Sequence, residues 1–213
     1  MDATRIIAIR HGETAWNVDN RIQGQLDIPL NATGVWQAQQ LARALAEEPI
    51  AAIYASDLQR AFETARAVAD VHALPLRPAP GLRERAFGSF EGLTFADIDA
   101  RLPEQARLWR IREPAFRPGE SGESLLQFRE RVTRAVHALA ERHVGEQIVM
   151  VGHGGVMDVL YRAATGQELQ APRTWRLGNA AINRLLWTPE GLSLVGWADD
   201  AHLARGELDD STA

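Results

Sequence analysis

The sequence predicts an α/β fold, in which one mostly parallel sheet lies between two layers of helices. Short apolar runs alternate with longer segments that place apolar residues at helical spacing. This alternation is typical of a three-layer α/β/α sandwich, because each crossover helix packs onto a face of the sheet. No linker, repeat or low-complexity block divides the 213 residues. We therefore predict a single domain over residues 1–200 and a polar tail over 201–213.

The strands are predicted from short apolar runs that are partly β-branched and end at turn residues. Each run is too short for a helix and is followed by a polar or glycine-bearing stretch. The predicted strands are 4–9, 50–55, 148–151, 181–187 and 192–198.

The helices are predicted from apolar residues three and four positions apart, preceded by residues that cap helix N-termini. Three long helices meet this description, and a fourth is expected near 156–164. The stretch up to Gly119 has several prolines and little periodicity, so we expect an irregular excursion with short helices. The predicted caps of the long helices are Asn31 or Thr33, Ser56 or Asp57, and Ser121 or Ser124.

Composition excludes several classes of function. The 23 basic residues, all arginine, are outnumbered by 28 acidic ones, and the net charge of −5 argues against a nucleic-acid-binding surface. Because cysteine is absent, disulfides, thiolate catalysis and cysteine zinc sites are excluded. The N-terminal sequence lacks a signal-peptide pattern and no run is long enough to cross a membrane, so we expect a cytoplasmic protein.

Two predicted strands end in a histidine flanked by glycine. Arg10 and His11 follow the strand 4–9, and His153 follows the strand 148–151. Parallel neighbours would bring both histidines to one edge of the sheet, where open α/β folds bind ligands. A single histidine at such a place is most simply a polar turn residue. Two in the same position favour a functional site.

Arg60 is the third candidate, because it falls in the first turn of the helix after the strand 50–55. Helix N-termini carry unpaired N–H groups and suit anions. The alternative is a surface arginine paired with Asp57 or Glu63. A cluster of two arginines and two histidines is best explained by a multiply charged anion, and a metal ion is disfavoured beside arginines.

Glu84 is the candidate proton donor of such a site. Near an anion and apolar groups such as Phe87, its carboxyl group would suit general acid catalysis. The simpler interpretation is a solvated ion pair, since Glu84 lies between Arg83 and Arg85. The residues alone leave both interpretations open.

Five motifs then match a known family: RHGET with Asn17 following, SDLQRAFETA, LRERAFGSFEG, GES and VGHGGVM. In this order, from Ile6 to about Asn183, they resemble the histidine phosphatase superfamily, which includes cofactor-dependent phosphoglycerate mutase. The resemblance implies a phosphoglycerate mutase-like fold.

The resemblance also implies roles for individual residues. His11 would be the nucleophile that forms a phosphohistidine, and His153 would assist it. Glu84 would be the general acid and base, because Gly154 stands where another branch of the family has an aspartate. No metal or cofactor is implied. The implied phosphate-binding residues are Arg10, Asn17, Gln23, Arg60, His153 and Gly154.

Within the family, the sequence is more similar to phosphatases than to mutases. The stretch after Glu84 is compact, Phe87 replaces a tyrosine of the mutases, and lysine is absent. We expect a phosphomonoester hydrolase that acts on a small phosphorylated metabolite. The alternatives are a mutase of 2- and 3-phosphoglycerate and a non-catalytic phosphate-binding protein. Whether the chain forms a homodimer is left open.

Residues 100–120 and the residues directly after His11 are the remaining segments with predicted roles. Residues 100–120 either cover the site and meet an acidic or flat leaving group, or pack with a solvated charged face. After His11, Gly12 is expected to let the backbone turn near the anion and Thr14 to offer a hydroxyl, while Glu13 has no assigned role. The candidates in the first segment are Trp109, Arg110, Arg112, Phe116 and Arg117.

Overall fold

The computed structural model describes residues 3–119 and 121–204. They form one six-stranded sheet with the strand order β3-β2-β4-β1-β5-β6. Strands β3, β2, β4 and β1 are parallel, and β5 and β6 are added antiparallel. The strands are β1 Thr4–Arg10, β2 Ala52–Ala55, β3 Leu76–Pro78, β4 Gln147–Gly152, β5 Ile182–Thr188 and β6 Gly191–Asp199.

Seven α-helices occur in the described part of the chain, and none of them is long and apolar enough to cross a membrane. Short 3₁₀ turns lie at Pro80–Leu82, Gly88–Phe90, Glu141–His143 and Ala201–Leu203. The helices are α1 Ala15–Val18, α2 Ala32–Leu45, α3 Gln59–His72, α4 Phe95–Arg101, α5 Pro103–Arg110, α6 Leu125–Ala140 and α7 Gly154–Thr165.

The three layers follow from the alternation of side chains along β1. Ile7 and Ile9 face one side of the sheet and join a buried cluster with α2 and α3. Ile6 and Ala8 face the other side and pack in a second cluster with α6 and α7. Successive residues of a strand point to opposite faces, so a strand covered on both sides is apolar throughout. The predicted α/β/α sandwich with a mostly parallel sheet is confirmed.

Two predicted caps are correct and one is wrong. The side chains of Asn31 and Ser124 accept hydrogen bonds from backbone N–H groups in the first turns of α2 and α6. Helix α3, in contrast, begins at Gln59, after Leu58, and has no cap from its own segment. Its Gln59 N–H donates to Asp27 Oδ1 at 2.7 Å. A carboxylate from a distant loop therefore replaces the cap expected from Ser56 or Asp57.

The edge strand β3 was not predicted, because its three residues include Pro78. An edge position tolerates proline, since one side of the strand needs no partner. The excursion before Gly119 contains α4 and α5, as the prediction of short helices required. Residues 201–203 form a turn that packs against α2. The remaining tail residues from 205 lie outside the described residues, so the domain boundary at 200 stays a prediction.

Candidate active site

The two histidines lie side by side because β1 and β4 are adjacent and parallel. Arg10 is opposite Gly152 in the sheet register, and the His11 N–H donates to the Gly152 carbonyl at 2.9 Å. The ring centroids of His11 and His153 are 5.2 Å apart. The ends of two neighbouring strands thus bring two imidazoles and one guanidinium group to one edge of the sheet.

The hydrogen bond of His11 fixes which ring nitrogen is free. Nδ1 lies 2.7 Å from the Gly12 carbonyl oxygen. A carbonyl oxygen only accepts, so Nδ1 carries the hydrogen and Nε2 holds the lone pair of the neutral ring. Burial, followed by the charges of Arg10 and Arg60, holds the pKa of His11 well below its usual value. With its pKa this low the ring is neutral at pH 7, and its Nε2 keeps an unprotonated lone pair.

His153 is fully buried at the N-terminus of α7. Its Nε2 lies 2.8 Å from the Ser56 hydroxyl oxygen, while its Nδ1 has no hydrogen-bond partner. Burial, and next the charge of Arg60, holds the pKa of His153 well below its usual value. Ser56 therefore orients this ring, although the sequence suggested it as a helix cap.

Arg60 is a buried residue of the site and not a surface arginine. The whole residue is only 1% exposed. Its guanidinium group donates to the carbonyl of Leu26 at 2.8 Å and to that of Gly24 at 2.7 Å. Burial lowers the pKa of Arg60 to about 10. Asp57 and Glu63, the alternative partners, bind other residues. The surface ion pair considered for Arg60 is thus absent among the described contacts.

Unpaired polar atoms concentrate in this cluster. Of the six buried side-chain N and O atoms without a partner in the described part of the chain, four belong to predicted phosphate-binding residues. Buried donors are nearly always paired in folded proteins, and these sit among positive charges. A phosphate group would provide acceptors for the nitrogen atoms. The four atoms are Arg10 Nε, Gln23 Oε1, Arg60 Nε and His153 Nδ1.

Glu84 is held by backbone groups and not by its arginine neighbours. Its Oε1 accepts from the Arg85 N–H at 2.8 Å and its Oε2 from the Gly155 N–H at 3.0 Å. Arg83 forms a bidentate pair with Asp57 at 2.7 and 2.5 Å. The guanidinium group of Arg85 donates to backbone carbonyls. The ion-pair interpretation of Glu84 is therefore wrong, and its carboxylate lines the cleft.

The two glycines after His153 differ in the space that a side chain would have at their positions. A Cβ on Gly155 would lie 2.2 Å from Glu84 Oε1 and 2.9 Å from an atom of the Phe128 ring. A Cβ on Gly154 would reach Arg10 Nε at 3.5 Å, an ordinary contact. Gly155 is thus required for the position of Glu84, although the sequence singled out Gly154.

Asn17 and Gln23 line the same cleft, which has a volume of about 730 Å³. Asn17 also closes a capping box with Thr14 at the start of α1. The Thr14 hydroxyl donates to Asn17 Oδ1 at 3.1 Å, so it serves the cap and not an anion. Gln23 is buried.

Gly12, directly after His11, is needed for a structural reason that the sequence did not indicate. A Cβ on Gly12 would lie 2.5 Å from the Gly34 carbonyl oxygen of α2, and the Gly12 N–H donates to Thr64 Oγ1. Close approach of a helix explains this glycine, and not a turn towards the anion. Glu13 accepts from Asn31 Nδ2 at 2.9 Å, which fastens the start of α2 to the same loop.

The loop before β5 supplies site residues that the sequence analysis did not identify. Asn179 Nδ2 donates to the His11 carbonyl at 2.8 Å. The Leu177 carbonyl accepts from Arg10 Nη1 at 2.5 Å. Arg173 and Arg176 line the cleft. The available signal was the density of arginine and tryptophan just before a predicted strand.

Residues 100–120 divide between the two interpretations. Trp109, Arg110 and Arg112 line a second cavity beside the cleft. Phe116 packs against Phe90, with ring centroids 6.3 Å apart, and Arg117 donates to the Gly122 carbonyl at 2.9 Å. The first three thus line a cavity next to the cleft, whereas the last two stabilise the excursion.

No group of three or more histidine, aspartate or glutamate side chains in the described ranges is arranged to hold a metal ion. The site is instead built from arginine, histidine and one glutamate. These residues belong to the motifs that resemble the histidine phosphatase superfamily. Comparison with known proteins tests whether the chain is a member. The family model of the histidine phosphatase superfamily (branch 1) matches residues 6–200. The chain belongs to this superfamily.

Similar proteins in the family include both phosphatases and mutases. A metal-independent phosphoserine phosphatase of Arabidopsis thaliana is 35% identical over 95% of this chain and 84% of its own. A probable phosphoglycerate mutase of Yersinia pestis is 32% identical over 97% of this chain and 98% of its own. A mycobacterial glucosyl-3-phosphoglycerate phosphatase structure has a TM-score of 0.80 at 32% identity, covering 92% of this chain and 99% of that one.

Proposed function

We propose that the protein is a metal-independent phosphomonoester hydrolase that works through a phosphohistidine on His11. The observation that carries the proposal is the state of that ring. His11 is neutral, its Nδ1 is held by the Gly12 carbonyl, and its Nε2 is left as the nucleophile. Arg10 and Arg60 stand beside it with positive charge for a phosphate group.

In the first step, His11 Nε2 attacks phosphorus and the bond from phosphorus to the leaving oxygen breaks. Arg10, Arg60 and His153 donate hydrogen bonds to the phosphoryl oxygens and stabilise the charge of the transition state. Glu84, protonated at this stage, gives its proton to the leaving oxygen. The products are an alcohol and phosphorylated His11.

In the second step, the Glu84 carboxylate takes a proton from water, and the water oxygen attacks phosphorus. The bond between phosphorus and His11 Nε2 breaks, which releases inorganic phosphate and restores both residues. Asn17, Gln23 and Gly154 border the phosphate position and complete its binding site. No step requires a metal ion, since the arginines and His153 supply the positive charge.

The substrate is proposed to be a small phosphorylated metabolite. Hydrolysis is favoured over phosphoryl return because the stretch after Glu84 is compact, Phe87 replaces a tyrosine of the mutases and lysine is absent. The phosphatases among similar proteins support the same choice. A mutase of 2- and 3-phosphoglycerate is the second candidate, because a probable phosphoglycerate mutase is 32% identical. The cytoplasmic location stays a prediction of the sequence.

The test is hydrolysis of phenyl phosphate, with and without EDTA, by the wild-type chain and a His11→Ala variant. We expect release of phosphate that EDTA does not change, and a loss of at least about 1,000-fold in the variant, as for other nucleophiles. After incubation with ³²P-labelled substrate, the chain is denatured at alkaline pH and then treated with acid or with base. The label on the chain should be lost in acid and kept in base.

Each part of the proposal would be contradicted by a different result. Activity that survives in His11→Ala would remove His11 as the nucleophile. Exchange between 2- and 3-phosphoglycerate with little phosphate release would favour the mutase. Binding of phosphate without turnover or labelling would leave a non-catalytic phosphate-binding protein.

A further inference from the structure

Ser56 is a buried hydroxyl residue directly after β2, and the two steps of the proposed reaction do not use it. The residue is fully buried. Its backbone N–H donates to the Val151 carbonyl of β4 at 2.9 Å, so the sheet fixes its position. Its hydroxyl oxygen lies 2.8 Å from Nε2 of His153. The sheet thus holds a hydroxyl group against one ring nitrogen of a residue that the proposed reaction does use.

The partners of this hydroxyl group determine the direction of its hydrogen bond. In the described part of the chain it has two partners, the Leu58 N–H at 3.3 Å and His153 Nε2. The Leu58 N–H can only donate, so the hydroxyl oxygen accepts from it. The hydroxyl group also has one hydrogen of its own to donate, and bulk solvent does not reach it. Of the two partners, only His153 Nε2 can accept that hydrogen.

The direction of this bond fixes the tautomer of His153. A neutral imidazole carries one hydrogen, on either Nδ1 or Nε2. If Nε2 carried it, Nε2 would donate to Ser56, and the hydroxyl hydrogen would be left without an acceptor between these two partners. Buried polar groups are nearly always hydrogen-bonded. The hydroxyl group therefore donates, Nε2 accepts, and the hydrogen of the ring is on Nδ1.

Nδ1 of His153 is a free donor in this arrangement. It has no hydrogen-bond partner within the described residues, although the ring is fully buried. The ring lies beside the proposed nucleophile, with its centroid 5.2 Å from that of His11. Burial, followed by the charge of Arg60, holds the pKa of His153 well below its usual value, so the ring is neutral at pH 7 and has one hydrogen to place.

We propose that Ser56 is a positioning residue, whose hydroxyl group donates to His153 Nε2 and thereby keeps a hydrogen on Nδ1 for donation to a phosphoryl oxygen. The proposal rests on the proposed function, because it concerns how that site stabilises the transferred group. The opposite tautomer would present a lone pair to an anionic oxygen. Ser56 does not contact the substrate; it acts through the ring of His153.

The first test observes the hydrogen of His153 directly. Long-range ¹H–¹⁵N NMR correlations of the imidazole rings distinguish a nitrogen that carries hydrogen from one that holds a lone pair. Comparison of the ¹⁵N-labelled wild-type chain with His153→Gln assigns the signals of His153. In the wild-type chain at neutral pH, we expect the hydrogen on Nδ1. In Ser56→Ala, which removes only the hydroxyl group, we expect the Nε2–H tautomer to become populated.

The second test measures kcat/KM for two esters. We expect Ser56→Ala to lower kcat/KM for phenyl phosphate about tenfold or more, the effect of one hydrogen bond to a charged group. The loss should be equal for 4-nitrophenyl phosphate, because His153 acts on the phosphoryl oxygens and not on the leaving oxygen. Loss of a general acid would instead depend on the leaving group.

The matched control is Thr4→Val, because Thr4 is also a fully buried hydroxyl residue but lies at the other end of β1 from Arg10. Its Oγ1 donates to the Ala140 carbonyl at 2.8 Å. The substitution removes a buried hydrogen bond with little change in shape. It should lower stability, as Ser56→Ala does, and change neither the tautomer of His153 nor kcat/KM.

Four results would overturn the proposal. They are an Nε2–H tautomer in the wild-type chain, an unchanged tautomer in Ser56→Ala, a changed tautomer without loss of kcat/KM, and an equal loss of kcat/KM in Thr4→Val. The NMR measurement needs no turnover. If the wild-type chain hydrolyses neither ester, the proposed function fails, while the position of the hydrogen still decides whether Ser56 sets the tautomer.

Discussion

One end of the cleft, where we propose that phosphate binds, is called the phosphate end. Its residues Arg10, His11 and His153 follow directly from the ends of adjacent parallel strands. The second cavity beside the cleft, in contrast, is lined by loops, by the short helices α4 and α5 and by residues of α6 and α7. The phosphate end is buried, and its side chains are positioned by backbone that the sheet fixes. The second cavity is partly exposed, and its shape depends on contacts between side chains that are distant in sequence.

The Glu84 loop is an example of a segment positioned by contacts between side chains that are distant in sequence. Arg131, on α6, donates to the carbonyls of Gly81, Arg83 and Glu84 at 3.0 to 3.1 Å. The same side chain pairs with Glu123 at 2.6 Å. One arginine therefore ties the loop of the proposed acid to a helix. The comparison teaches that strand ends can position the residues proposed to bind phosphate, whereas tertiary contacts position the proposed proton donor.

The largest effect should come from removing the proton of the proposed acid while keeping its shape. In Glu84→Gln, we expect kcat/KM for phenyl phosphate to fall about 100- to 10,000-fold, the usual contribution of general acid catalysis. The loss should be much smaller for 4-nitrophenyl phosphate, whose leaving oxygen needs less protonation. Equal losses for the two esters would contradict the acid role.

The next effect tests whether the position of Glu84 depends on α7. In Gly155→Ala the new methyl group would collide with Glu84 Oε1, so we expect activity on phenyl phosphate to fall about 100-fold, as for small misplacements of catalytic groups. Gly154→Ala is the matched control, since its methyl group makes only an ordinary contact. Because Gly154 borders the proposed phosphate position, some loss is expected there as well, but it should be clearly smaller than in Gly155→Ala. Equal losses in the two variants would show that the helix start, and not Glu84, is sensitive.

The third effect concerns stability at the phosphate end. Because the pKa of His153 in the folded chain lies well below its unfolded value, the unfolded chain binds an extra proton below about pH 6.5. The free energy of unfolding should therefore fall as the pH drops through this range. In His153→Gln the fall should be smaller by up to about 1.4 kcal/mol per pH unit, the value for one proton.

Urea unfolding at pH 7.5 and pH 5.5 measures this difference. Each comparison is made within one variant, so the stability cost of the substitution cancels. An equal pH dependence in wild type and His153→Gln would mean that His153 does not resist protonation in the folded chain.

The smallest effect should come from removing Arg83. This arginine is next to Glu84, the proposed acid, but takes no part in the site. Arg83 pairs with Asp57, and both side chains are partly exposed, at 39% and 28%. We expect Arg83→Ala to lower the free energy of unfolding by about 1 kcal/mol or less and to change activity by less than about twofold. Thermal unfolding and phenyl phosphate hydrolysis check both values. A tenfold loss of activity would show that Arg83 contributes to the site. It would then differ less from Arg60, which is the buried arginine of the site.

By itself, the sequence determined the elements that carry the phosphate end. Apolar spacing predicted the helices, and Asn31 and Ser124 were found as their caps. The two predicted strand ends indicated that His11 and His153 would share a sheet edge. These features are encoded within a few residues, because strand ends and helix caps depend on local backbone geometry.

Only the tertiary structure decided contacts between distant segments. It gave the cap of α3 to Asp27 and turned Ser56 towards His153. It also brought Asn179 and Arg173 to the cleft, 160 or more residues along the chain from His11. Such pairings depend on which surfaces pack together, and the polar residues of loops carry no periodicity that would predict them. The residues of the proposed phosphate site are therefore visible in the strand ends of the sequence, whereas the residues that border them from the loops become visible only when the chain is folded.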